Sequence, residues 1–217
     1  MSRRVYCISG LGASEQVFSK LNLPGTELIV LKWLIPKQHE SFADYSRRMF
    51  EQVAEENPVL MGVSFGGMTC IEMAKQFPIQ KLILISSIKT KKELPLWMQG
   101  TGTLQLHRLV RPQPHPILYP IENFFLGAES KEDKQIANTF RKEVNPEYLQ
   151  WAIHQIVSWK NVTIPQNYIH IHGTGDRLFP IRNVKADYVI RKGGHFMVYN
   201  KAVEISAIIN RELELIQ

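Results

Sequence analysis

Apolar positions follow two alternating rhythms over the first 87 residues. Val5-Tyr6-Cys7-Ile8 and residues 27–31 are short apolar runs that predict strands. Pro58-Val59-Leu60-Met61-Gly62-Val63 and residues 81–85 are almost continuously apolar, as strands buried on both faces of a parallel sheet are. Helical periods separate these runs. Residues 13–21 predict one helix, and Phe42, Tyr45, Met49 and Val53 fall on one face of a second. Ser41 and Asp44 have the spacing of a capping box at its start. Residues 65–77 carry few charges, which predicts a largely buried helix. Strand alternating with helix implies an α/β fold, a mainly parallel doubly wound sheet flanked by helices.

The rhythm then changes. Residues 88–166 contain no convincing buried strand, only amphipathic helical stretches at 104–110, around 123–126, at 131–144 and at 147–159. Pro112, Pro114, Pro116 and Pro120 divide them, since proline cannot continue a helix interior. Alternation returns with strands at 168–172 and 187–190 and a closing helix at 203–215. The expected organisation is one domain with a core of 1–87 and 167–217, interrupted by a helical insertion at 88–166.

Candidate chemistry begins at Gly62-Val63-Ser64-Phe65-Gly66, followed by Gly67. This is a G-x-S-x-G elbow, in which a serine sits on a strained strand-to-helix turn and small flanking residues avoid a backbone clash. A plainer alternative is a glycine-rich turn whose serine caps the helix. Ser64 follows a buried strand and opens an apolar helix, and that context favours a nucleophile.

With that elbow the chain resembles the α/β-hydrolase superfamily, whose functional residues follow the order serine, acid, histidine. In Gly193-Gly194-His195-Phe196, a small-residue loop before the closing helix, His195 is similar to the family's histidine. His172-Gly173-Thr174-Gly175-Asp176-Arg177, with Pro180 beyond it, is similar to the post-strand turn that carries the family's acid. Asp176 is therefore the expected acid, with Asp187 as the competing candidate. The resemblance further implies an oxyanion hole from the backbone amides of Leu11 and Phe65. Ser9-Gly10-Leu11-Gly12 departs from the family here, since Ser9 stands where members often carry histidine. It also implies a lid formed by 88–166 and cleavage of a small-molecule ester or thioester without a cofactor. Other reactions on the same elbow (C–C hydrolysis, a lyase reaction, cofactor-free peroxidation) or non-catalytic ligand binding are the alternatives.

Composition narrows the remaining classes. Hydrophobic residues at 44% and charged residues at 21% are ordinary for a globular chain, and no apolar run approaches the ~20 residues of a membrane span. Cys7 and Cys70 are too few for a disulfide framework and are expected as buried thiols in a cytoplasmic protein. His170 and His172 share a strand face but lack a third ligand at metal-binding spacing. The net charge of +6 lacks the long basic runs with interleaved aromatics of a nucleic-acid binder. Between residues 88 and 116, Lys89, Lys91, Lys92, Arg108 and Arg111 oppose only Glu93. That stretch is expected either to recruit an acidic acyl carrier or anionic substrate, or to be a solvated face. Trp97, Met98, Phe124, Phe125, Trp151 and Trp159 are candidates for pocket lining or for helix packing.

Overall fold

The computed structural model describes residues 2–105 and 115–216. Six strands form one all-parallel sheet: β1 (Arg3–Ile8), β2 (Thr26–Val30), β3 (Val59–Val63), β4 (Lys81–Ile85), β5 (Tyr168–Gly173) and β6 (Tyr188–Ile190). Their order is β2-β1-β3-β4-β5-β6. Side chains alternate across the pleat. Tyr6, Ile8, Leu60, Leu82 and Leu84 enter one apolar layer, and Val5, Cys7, Met61, Ile83 and Ile171 enter the other. Tyr45 and Met49 of α1 (Phe42–Phe50) and Met68 and Ile71 of α2 (Phe65–Ala74) fill the first layer. Ile205 and Ile209 of α8 (Ala202–Glu214) fill the second, beside Met197 of the short α7 (Met197–Asn200). Two-sided burial is why β3 and β4 are apolar along nearly their whole length.

Between β4 and β5 lie α3 (Leu96–Thr103), α4 (Tyr119–Leu126), α5 (Lys131–Glu143) and α6 (Pro146–Ser158). Ser130 and Asp133 close a capping box on α5, and Gly127 ends α4 in the left-handed conformation. No helix among the described residues is long and apolar enough to cross a membrane.

Several local expectations need correction. The stretch 13–21 forms only a 3₁₀ turn, Glu15–Phe18. Ala13 is held by the preceding loop, its amide on the Gly10 carbonyl and its own carbonyl on the Ser9 hydroxyl, so no helix starts there. Val53 lies beyond the end of α1, where successive amides switch to acceptors three residues back, yet it still packs on the same core. Ser41 caps α1 through the Asp44 amide, but its hydroxyl donates to the Asp44 carboxylate, so the capping box is half formed. The expected helix at 104–110 begins after α3 has ended, and most of it lies outside the described residues. The glycines that weaken a helix signal in α3 have a packing reason in one case: a Cβ on Gly102 would stand 2.0 Å from the Val157 carbonyl oxygen on α6. The basic stretch also changes. Lys89 is buried, 2.8 Å from Glu93, and Asn161 donates to its carbonyl, so it offers no surface charge. Lys91 and Lys92 are exposed, while Arg108 and Arg111 lie outside the described residues.

Candidate active site

The three strand ends β3, β5 and β6 bring the sequence-predicted residues together. Ser64 directly follows β3 with φ 53° and ψ −120°, a conformation that L residues adopt only under strain. Its surroundings require the glycines. A Cβ on Gly62 would meet the Gly66 carbonyl oxygen and Gly67 amide nitrogen at 2.5 Å, and one on Gly66 would meet the Ile8 carbonyl oxygen at 2.3 Å. The Ser64 amide continues the ladder to the Ile85 carbonyl at 2.9 Å, which fixes the turn to the sheet.

His195 stands in the loop after β6, and its Nε2 lies 2.8 Å from the Ser64 hydroxyl. That loop is pressed against its neighbours: a Cβ on Gly173 would stand 2.1 Å from the Gly193 carbonyl oxygen, and the Phe196 amide donates to the Leu126 carbonyl of α4. Asp176, in the turn after β5, lies 2.8 Å from His195 Nδ1 through Oδ2. A carboxylate only accepts, so Nδ1–H donates and Nε2 is left to accept the serine proton. Oδ1 of Asp176 is occupied by the Leu178 amide at 2.9 Å and the Phe179 amide at 2.8 Å. Burial pushes the Asp176 carboxyl up, but His195, His172 and the Phe179 amide outweigh it and hold it below the ordinary carboxylate value. All three side chains are buried.

Asp187 serves elsewhere: its carboxylate accepts the His170 amide at 2.8 Å, midway along β5. The Leu11 and Phe65 amides donate to no other described residue. The loop bearing Leu11 abuts the elbow, since a Cβ on Gly10 would be 3.5 Å from that of Ser64. Ser9 anchors it by donating to the Ala13 carbonyl at 2.7 Å and accepting from the Trp33 indole at 3.0 Å.

Beside Ser64 and His195 opens a cavity of about 440 Å³, lined by apolar residues including Leu11, Trp97, Phe125, Phe140, Val144 and Leu178. Among the described residues its two charged lining residues, Glu122 and Arg141, pair with each other at 2.6 Å. Burial lowers the Arg141 pKa. Of the aromatic candidates from the sequence, Trp97 and Phe125 line this cavity. Met98 and Trp159 belong to the core, Trp151 packs on Tyr45 at 4.2 Å, and Phe124 lies under the Arg177 guanidinium. Glu122 and Arg141 carry no distinguishing signal in the sequence, because each reads as an ordinary charge on an amphipathic helix. Among the described residues, no group of His, Cys, Asp and Glu could hold a metal. His170 Nδ1 instead receives the Lys89 ammonium at 2.9 Å, and His172 Nε2 donates to the Phe179 carbonyl at 2.7 Å. Cys7 and Cys70 are buried free thiols, both pushed up by burial.

No family model and no curated protein sequence matches the chain. Solved structures do. A thermophilic esterase from Thermogutta terrifontis superposes with a TM-score of 0.76 at 13% identity, covering 99% of this chain and 90% of that one. A bromoperoxidase from Bacillus anthracis gives 0.71 at 15%, covering 99% and 92%. An alpha/beta hydrolase fold protein from Burkholderia ambifaria gives 0.70 at 14%, covering 96% and 90%. The chain has the α/β-hydrolase fold.

Proposed function

We propose that this protein is a serine hydrolase that cleaves a carboxylic ester or thioester through an acyl-enzyme. One observation carries the reading: an unbroken chain from the Ser64 hydroxyl through His195 to a buried Asp176, at the wall of an apolar cavity. The Ser64 oxygen attacks the substrate carbonyl carbon as His195 Nε2 takes its proton, and Asp176 stabilises the resulting imidazolium. The Leu11 and Phe65 amides, free to donate, hold the oxyanion. Collapse of the tetrahedral species breaks the bond to the alcohol or thiol, which leaves with the proton from His195. Water, deprotonated by the same nitrogen, then attacks the acyl-enzyme and restores Ser64.

The helices between β4 and β5 supply Trp97, Phe125, Phe140 and Val144 to the cavity wall, the part of a lid that selects the acyl chain. Among the described residues the lining is apolar and its one ion pair is internally neutral, which favours an uncharged apolar acyl group. Of the described residues in the basic stretch, Lys91 and Lys92 are the ones exposed to draw an acidic carrier or anionic leaving group.

The test is Ser64→Ala, assayed with p-nitrophenyl butyrate and a fluorophosphonate probe. Loss of a triad serine lowers rates by about a million-fold. Undiminished ester turnover in that variant defeats the proposal. Turnover of a β-diketone, or peroxide-dependent bromination, in place of ester cleavage would reassign the reaction on the same residues.

A further inference from the structure

His172 is fully buried near the end of β5, four residues before the acid, and does not line the cavity. Its Nε2 stands 3.6 Å from Asp176 Oδ2, the oxygen that His195 uses, while donating to the Phe179 carbonyl at 2.7 Å. The amide of that same Phe179 donates to Asp176 Oδ1 at 2.8 Å, and its ring meets the His195 ring edge-on, with centroids 5.3 Å apart. One residue, Phe179, therefore touches the acid through its amide, the base through its ring, and His172 through its carbonyl.

We propose that His172 is a positioning residue for the hydrolytic reaction, holding the 176–179 turn so that Oδ1 is saturated by amides and Oδ2 alone faces His195. This inference rests on the serine-hydrolase reading. The carbonyl of Phe179 can only accept, so His172 is the Nε2–H form, and its Nδ1 has no partner among the described residues. A protonated His172 would be a second cation beside Oδ2, competing with His195. The groups facing it are Asp176 and His195 on one side, and Glu93 and His170 (itself bonded to the Lys89 ammonium) on the other. Burial lowers its pKa, which favours the neutral form.

The experiment compares His172→Phe, His172→Asn and His172→Gln. Gln places an amide nitrogen near the Nε2 position and can keep the bond to Phe179; Phe and Asn cannot. We expect kcat to fall between about ten- and a hundredfold in His172→Phe and His172→Asn, as for a misplacement near 1 Å, with KM unchanged. His172→Gln should recover most of the loss. A loosened carboxylate stabilises the His195 imidazolium less, so the acid limb of the pH–rate profile should move to lower pH by about one unit in the two losing variants. A purely structural histidine would lower thermal stability without moving that limb. Should His172→Phe fail to fold, the Asn and Gln pair decides. Equal kcat in all variants, an unmoved acid limb, or a loss in Gln as large as in Asn overturns the inference. Fluorophosphonate labelling separates it from the underlying reading. If the native protein does not label at Ser64, the hydrolase assignment fails. If it labels and the variants label equally fast, only the role of His172 fails.

Discussion

The Ser87 hydroxyl, just past the end of β4, donates a 2.7 Å hydrogen bond to the backbone carbonyl of Ser64. The same carbonyl also accepts the Gly67 and Met68 amides, so the strained residue is clamped from the neighbouring strand as well as from its own helix. Ser87→Ala should lower stability by about 1 kcal/mol, roughly 2–4 °C in a domain of this size. Ester turnover should drop only a few-fold, because two amides still hold the carbonyl. A thermal scan with a parallel rate assay measures both. An unchanged melting temperature would show that the clamp carries no load.

Asp176 and Asp187 differ in what they accept, and isosteric variants separate them. Asp176→Asn removes the group that fixes the His195 tautomer and should lower kcat by about 10⁴. Asp187→Asn still offers an oxygen to the His170 amide, so activity should persist with a stability change within about 1 kcal/mol. Matched kinetics on both variants decide, and the reverse pattern would move the acid to Asp187.

Two glycines should respond in opposite directions. A Cβ on Gly66 would collide with backbone oxygens of Ile8 and Ser9 at 2.3 and 2.4 Å, atoms that cannot rotate away. Gly66→Ala should cost roughly 1–3 kcal/mol and most of the activity. Gly100, inside α3 with nothing among the described residues within 4 Å of its Cβ position, should gain about 0.5–1 kcal/mol as Ala at unchanged activity. Urea midpoints of the two variants test the contrast.

Acid should weaken the fold in two stages. Burial, together with Lys89 and His172, holds the His170 pKa well below the ordinary histidine value, and burial also lowers that of His172. Below about pH 6.5 the unfolded chain takes up protons that the folded protein refuses, so stability falls as pH falls. Two such groups give at most about 2.7 kcal/mol per pH unit. Asp176 adds a later stage. Its depressed folded value makes its contribution present above the unfolded value, near 3.9, and lost as pH drops through the folded one. Urea unfolding of Ser64→Ala between pH 7.5 and 5 should show the first slope, and His170→Asn should reduce it by about half. A flat profile would contradict it.

The sheet was legible because buried parallel strands are continuous in apolar residues, and Ser64, Asp176 and His195 were legible because each sits in a small-residue turn next to such a strand. The structure brings these three within hydrogen-bonding distance in the expected order. Less legible were features decided by partners distant in the chain. Residues 13–21 carry a helical period, yet Ala13 is tied to the preceding loop through Gly10 and Ser9 and only the 3₁₀ turn Glu15–Phe18 forms. Lys89 counts as a surface charge until Glu93 and His170 are found around it. Sequence spacing sets His172 aside as a metal ligand for want of a third, but its actual partner, a carbonyl seven residues on, is visible only once the turn brings it back.

β4 and β5 are hydrogen-bonded neighbours, yet the chain runs from residue 86 to residue 167 before returning from one to the other. Both ends of that excursion are anchored in the sheet, and Ser64, Asp176 and His195 all lie outside it. For a flexible loop so anchored, doubling its length adds only about 0.6 kcal/mol of closure entropy. Under the proposed hydrolase reading, descendants of this chain can therefore vary the part that lines the cavity, such as Trp97 and Phe125, and drift from one acyl group to another, while Met98, Trp159 and the Leu126 carbonyl stay tied to the core and the His195 loop.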